Sequence, residues 1–181
     1  MKKRCSWVDL KSSLYVQYHD KEWGIPVYDD RLLFEMLVLE GFQAGLSWIT
    51  ILNKRAAFKE VFDNFDVEKV SAYDEAKIEE LICNPNIVRN RNKILAAINN
   101  AKVFIKIQAE FGSFSDYIWS FTSGKVVKNT NGEYKVSSEL SDIISKDLKL
   151  RGMKYVGTVI VYSYLQAIGV VNDHEPDCFL F

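Results

Sequence analysis

Residues 37–51, LVLEGFQAGLSWITI, carry one ionisable group, Glu40, set among Leu37, Val38, Leu39, Phe42, Leu46, Trp48 and Ile49. A lone carboxyl in so apolar a run is costly to bury unless it has a partner or a chemical task. The task open to it is to form the polar floor of a pocket, with Trp48 as a flat wall. Gly41 and Gly45 fit that picture, because glycine inside a helical pattern costs about 1 kcal/mol against alanine and marks a bend or a close backbone approach. The competing reading is a solvent-facing glutamate on an ordinary amphipathic helix.

A second group of residues could bind metal. The chain has two histidines, and each has a cysteine within reach: His174 lies four residues before Cys178, and Cys5 lies near His19. Two thiolates and two imidazoles make a tetrahedral set suited to zinc. With all four positions filled by protein such a site is structural and would clamp the start of the chain to its end. The Cys5 to His19 spacing is not diagnostic by itself, so unrelated buried thiols and surface imidazoles remain the other reading. Cys83, after Leu81 and Ile82, reads as core.

A third group could meet phosphate. Lys149, Arg151 and Lys154 flank a glycine-bearing turn, Gly152 to Gly157, that opens an apolar helix. Free backbone N–H groups at a helix start hold anions, and basic side chains add affinity that salt weakens. Between Glu80 and Glu110 there is no acid, while Arg89, Arg91, Lys93, Lys102 and Lys106 supply positive charge, a possible second footing on the same strand.

These groups need elements to hold them. Asp29 or Asp30 can cap a helix to about residue 40, and a second helix follows over about 46–62. Short helices with acidic caps are expected over 66–72 and 74–83, then a turn at Asn84-Pro85-Asn86. A long helix over about 90–111 and a short aromatic one over 113–121 follow. Residues 123–136, with Gly124, Asn129, Asn131 and Gly132, read as a loop or small hairpin and the most mobile part. Ser138 or Ser141 opens a helix to about 150, and the uncharged helix begins near 156. Residues 1–29 are aromatic-rich and irregular, broken by Gly24 and Pro26. The expected fold is an all-α single domain, residues 1–181, or two small lobes sharing a core.

A net charge of −1 gives no global sign of a nucleic-acid binder, so such binding must come from a local patch. The start shows no apolar segment behind its charges, and residues 155–172, though uncharged, contain Thr158, Ser163, Gln166 and two glycines, which suits a buried helix better than a membrane span. A cytoplasmic protein is expected, with its cysteines as metal ligands or buried thiols.

Several blocks together resemble the 3-methyladenine DNA glycosylase I family. They are Tyr18-His19-Asp20-Lys21-Glu22-Trp23-Gly24-Ile25-Pro26, Leu39-Glu40-Gly41-Phe42-Gln43-Ala44-Gly45-Leu46-Ser47-Trp48, Tyr155-Val156-Gly157-Thr158, and Gly169-Val170-Val171-Asn172-Asp173-His174 with Cys178. The resemblance implies a helix-hairpin-helix glycosylase fold, two helical lobes around a base pocket, that excises 3-methyladenine by hydrolysing its N-glycosidic bond. It places one structural zinc on Cys5, His19, His174 and Cys178. It places the base pocket on Tyr18, Glu40 and Trp48, with Trp7 and Trp23 beside them and Glu40 as the catalytic group. It places the DNA-binding hairpin on Arg151, Gly152, Lys154, Val156, Gly157 and Thr158. The partners it implies are alkylated double-stranded DNA and free 3-methyladenine as product, for a monomer that needs no membrane.

The chemistry agrees with the resemblance. Alkylation at N3 leaves the nucleotide cationic, so aromatic faces gain stacking of about 1–3 kcal/mol and cation–π attraction of about 0.5–2 kcal/mol, comparable to the cost of extruding the base. Many relatives carry an aspartate after the hairpin helix that assists departure of the base. Asn172 stands at that position here, with Asp173 the alternative under a shifted alignment. No lysine occupies an evident nucleophile position, so no strand cleavage is expected. The competing reading is a non-catalytic module that binds alkylated bases or DNA structure.

Overall fold

The computed structural model describes residues 2–130 and 132–181; Met1, and Asn131 of the expected loop, lie outside the described residues. Nine α-helices among the described residues follow in order: α1 Ser13–Lys21, α2 Asp30–Gln43, α3 Trp48–Val61, α4 Val67–Ser71, α5 Glu75–Cys83, α6 Arg91–Phe111, α7 Phe114–Ser120, α8 Glu139–Leu150 and α9 Thr158–Ala167. Two short strands, β1 Val127–Lys128 and β2 Val171–Asn172, pair in parallel. The fold is thus mostly helical rather than strictly all-α. The segment expected as a loop or hairpin instead joins residues more than forty positions downstream.

Local chemistry sets the helix starts. Asp29 accepts from Leu32 N at 2.9 Å and caps α2, while Asp74, Asn90, Ser113 and Ser138 cap α5, α6, α7 and α8. Asp30, the other cap candidate, serves a different helix. Its carboxylate accepts from Phe114 N, Ser115 N and Gln108 Nε2 at 2.7–2.8 Å, and so ties α2 to the start of α7.

α2 is the central element, contacted by α3, α6, α7 and α9. It buries Leu33, Phe34, Met36, Leu37, Val38, Leu39 and Phe42, the all-round apolar pattern of a core helix. It continues three residues past Glu40, and Gly41 lies within it, 3.8 Å from Tyr155 Cβ when given a Cβ of its own, which is ordinary contact. The expected bend therefore falls at Gly45, whose φ of +80° suits glycine, in the turn to α3. Lys93 fastens that turn. Its ammonium is buried and donates to the carbonyls of Phe42 and Ala44 at 2.8 and 2.6 Å, neutralising the end of α2.

The basic run on α6 is accordingly shorter than its sequence suggests. Lys93 points inward, Arg91 pairs with Glu75 and Glu79 of α5, and Arg89, Lys102 and Lys106 remain on the surface. Cys83, expected in the core, is exposed at the end of α5. The aromatic-rich start contains α1, which sequence periodicity did not reveal because only Tyr18 and His19 of it are buried.

Arg55 on α3 joins the pieces that carry the site. Its Nε donates to Glu35 of α2 and its Nη1 to Glu22 after α1, each at 2.6 Å, and Glu35 is 2% exposed. Removing one partner of a buried pair leaves an uncompensated charge. Arg55→Ala should lower unfolding free energy by about 3–5 kcal/mol, measured by urea denaturation. A loss within the range of an exposed ion pair would show that the triad holds nothing.

Candidate functional site

Glu40 sits in the last turn of α2, 3% exposed, and no described residue donates a hydrogen bond to it. It opens into a cavity of about 390 Å³ lined by Trp7, Tyr15, Tyr18, Trp23, Gln43 and Trp48 on one side and by Val159, Tyr162, Ser163 and Gln166 of α9 on the other. Tyr134, Lys135 and Val136 of the β1–α8 connection complete the rim. Burial pushes the Glu40 carboxyl up to about 8, with no neighbouring charge to offset it. The solvent-facing reading of Glu40 is therefore wrong, and the pocket reading holds.

The walls are rings. Tyr18 and Trp48 lie with centroids 5.4 Å apart, and Trp7 packs edge-on to Trp23 at 4.9 Å and beside Tyr15 at 5.1 Å. Burial, reinforced by Glu40, holds the Tyr18 phenol far above its usual range, so it is neutral, and its hydroxyl has no hydrogen-bond partner among the described residues. The buried Trp48 Nε1 likewise has none. A protein rarely leaves several polar groups unpaired around one space unless something else fills it. Tyr18, Glu40, Trp48, Trp7 and Trp23 thus come together as the sequence suggested. Tyr15, Gln43, Tyr134, Lys135, Tyr162, Ser163 and Gln166 were missed; the α9 members could have been found as the polar positions of an otherwise apolar helix.

Behind the Trp7–Trp23 wall the chain ends meet. The ligand atoms of Cys5, His19 and Cys178 all lie within 4.8 Å of one another, each residue buried. His174 stands next to them, its ring centroid 5.2 Å from that of His19. Each imidazole has its Nδ1 held by a neighbouring side-chain oxygen. His19 Nδ1 meets Asp20 at 2.8 Å, and Asp20 is held by Arg4 at 2.8 and 2.7 Å, which keeps that carboxyl down at about 2. His174 Nδ1 donates to Asn172 Oδ1 at 2.8 Å, which leaves Nε2 buried and without a partner. Burial pushes the Cys5 thiol up to about 12, so a thiolate there requires a cation beside it. Asn172 is accordingly turned toward His174, and the adjoining Asp173 turns toward α9 instead. Gly24 is required here. At φ +75°, a Cβ on it would lie 2.7 Å from His174 Cε1.

The third candidate region is the turn from α8 to α9. Asn100 clamps Lys154 through both main-chain groups at 2.8 Å, and Asn99 donates to Gly152 O at 2.8 Å. Gly152 at φ +97° and Tyr155 at φ +54° shape the turn, and Ser145 holds Val156 O at 2.6 Å. Gly157 precedes α9 with no side-chain cap, so the first N–H groups of the helix have no side-chain partner among the described residues. Lys154 is exposed, and no described acid pairs with it. Val156 is buried, and Thr158 Oγ1 meets Ser141 Oγ at 2.8 Å, so these two build the turn and present no side chain to a ligand. Arg151 bonds instead to Asp147 and Glu110 at 2.7 Å each, which turns its charge inward to acids of its own chain.

Known proteins share this sequence and fold. The methyladenine glycosylase family matches residues 7–181. DNA-3-methyladenine glycosylase 1 of Escherichia coli is 46% identical over 178 residues, 97% of this chain and 95% of that protein. Among solved structures, 3-methyladenine DNA glycosylase I from Staphylococcus aureus superposes with a TM-score of 0.93 at 39% identity, covering 97% of this chain and 95% of that one. A tyrosine-to-phenylalanine variant of a 3-methyladenine DNA glycosylase I, in complex with 3-methyladenine, gives 0.91 at 38%, covering 97% and 96%. With identity and fold matched over nearly its whole length, the chain belongs to the methyladenine glycosylase family.

Proposed function

We propose that this protein is a DNA-3-methyladenine glycosylase that hydrolyses the N-glycosidic bond of the alkylated nucleotide in base excision repair. The observation that carries the reading is the Glu40 carboxyl, buried and unpaired in the cavity that Tyr18 and Trp48 also line. A carboxyl this deeply buried cannot reach a base inside a duplex, so the nucleotide is turned out of the stack into the cavity. There the cationic purine lies against indole and phenol faces while Glu40 accepts from its amino group and balances its charge. The charged base is a good leaving group, so binding supplies most of the discrimination and water completes the hydrolysis.

The turn Arg151 to Thr158 and the uncapped start of α9 act as the helix-hairpin-helix footing on the phosphate backbone, with Lys154 as its free charge. Cys5, His19 and Cys178, with His174 beside them, would hold one structural zinc that ties the two ends of the chain together. Support comes from the donor set and from the unpartnered His174 Nε2. The zinc is a clamp between the chain ends and takes no part in the bond cleavage.

Among the described residues, Lys135 is the lysine that lines this cavity, and its ammonium faces Glu133 at 3.8 Å. Duplex DNA methylated at adenine N3 should release free 3-methyladenine, and borohydride should trap no protein–DNA adduct. Binding without release would make the protein a non-catalytic reader of damage. A trapped adduct lost in Lys135→Ala would make it a lyase.

A further inference from the structure

Asp173 reaches the far wall of the cavity without entering it. Its carboxylate accepts from Tyr162 OH at 3.0 Å and Gln166 Nε2 at 2.6 Å through one oxygen, and from Asn129 Nδ2 at 2.6 Å through the other. Tyr162 and Gln166 stand one helical turn apart on α9, and both line the cavity that holds Glu40. All three donors are neutral, and no described cation pairs with Asp173.

That network settles which way the Gln166 amide lies. A carboxylate accepts and does not donate, so the amide must turn its NH₂ to Asp173 and its carbonyl oxygen the other way. Gln166 Oε1 accepts no hydrogen bond from any described residue. The backbone at this position is also fixed, since Gly24 N donates to Gln166 O at 2.9 Å.

We infer that Gln166 is a specificity-determining residue of the proposed glycosylase site and that Asp173 is its positioning residue, presenting the Gln166 carbonyl oxygen to the base as a hydrogen-bond acceptor opposite Glu40. The inference rests on the glycosylase reading and adds a rule to it. Glu40 and Gln166 together give the cavity two acceptors for the amino edge of a base. An N3-alkylated adenine offers an amino group there. An N3-alkylated guanine offers a carbonyl oxygen, which two acceptors repel, and a buried polar mismatch of that kind is what rejects a near-isostere.

The test is competition between the two lesions in one sample of methylated duplex DNA, with released 3-methyladenine and 3-methylguanine measured as a ratio. A ratio does not depend on how much of a variant is folded. Gln166→Met, which keeps the length and removes the acceptor, should narrow the preference for 3-methyladenine by about tenfold. Asp173→Asn, which lets the amide turn over and offer a donor, should narrow it at least as far. In the Gln166→Met background Asp173→Asn should change the ratio no further, because its effect passes through Gln166. An unchanged ratio in Gln166→Met overturns the role of Gln166. A ratio that shifts in Asp173→Asn equally with and without Gln166 overturns the positioning role. If the wild-type protein releases neither base, the glycosylase reading itself fails, which is a different result from an unaltered ratio.

Discussion

Glu40→Gln should release 3-methyladenine at least about 100-fold more slowly than the wild type and yet be the more stable protein. Losing a preorganised charge that faces developing or fixed positive charge in a dry site costs about 3 kcal/mol or more, which sets the kinetic figure. Stability moves the other way because the carboxylate has no hydrogen-bond partner and its ionised form is penalised by burial, which raises the folded-state value from 4.5 to about 8. A carboxyl with a raised folded value favours folding fully below the unfolded value and loses that contribution as pH rises toward the folded one. The wild-type penalty therefore grows between pH 4.5 and 8 and is constant above, reaching on the order of 3–5 kcal/mol. Glutamine carries no such penalty. Melting curves of the two proteins should nearly coincide near pH 4 and separate progressively to pH 8, the variant melting higher. A variant that is both inactive and less stable at pH 8 would mean that Glu40 has a partner holding its charge. Incoming positive charge draws the carboxyl value down, so the acid gains its charge when a cationic base arrives, and a neutral adenine does not recruit it.

Removing zinc should have the second large effect. Structural zinc contributes on the order of 10 kcal/mol to the folding of small domains. Here part of the fold is independent of the cluster, so a smaller share should appear as a fall in Tm of about 10 °C or more on chelation, reversed by added zinc. The local readout is tryptophan fluorescence. Trp7 lies 5.4 Å from the His19 ring and Trp23 lies 4.7 Å from the His174 ring, so both should report the loss even at temperatures where the helices persist. Cys178→Ala should reproduce the chelated state. Protein purified with about one zinc per chain supports the clamp, and metal-free protein with unchanged melting and fluorescence rejects it.

What the sequence revealed and what it hid divide along physical lines. Glu40 stood out because its neighbours in the chain are also its neighbours in space: the apolar run is the end of α2, the turn at Gly45 and the start of α3. Helix starts at Asp74, Asn90 and Ser138 were legible because capping is local chemistry. Charges whose partners lie far along the chain were misread. Arg151 and Lys93 look like parts of basic surfaces; Asp147 lies one helical turn before Arg151, but only the fold brings Glu110 to Arg151 and the end of α2 to Lys93. The wall formed by Gln166 and Tyr162 was hidden for the same reason, since its organising residues Asn129 and Asp173 each follow directly on a strand of two residues. Strands that short leave no alternating pattern to detect. The helix α1 was hidden by composition, because a segment that buries only two of nine residues has little periodicity to show.

The placement of the aromatic wall has a consequence for how the molecule comes into being. Trp7, Tyr15, Tyr18 and Trp23 leave the ribosome long before the groups that fasten them, Glu175 on Ser6, Cys178 beside His19, and Phe179 N on Lys3 O. A nascent chain can pack α2 to α7 long before it can close the pocket. The aromatic wall therefore stays unfastened until residues 175–179 have emerged, and a copy cut short before them has no closed chamber.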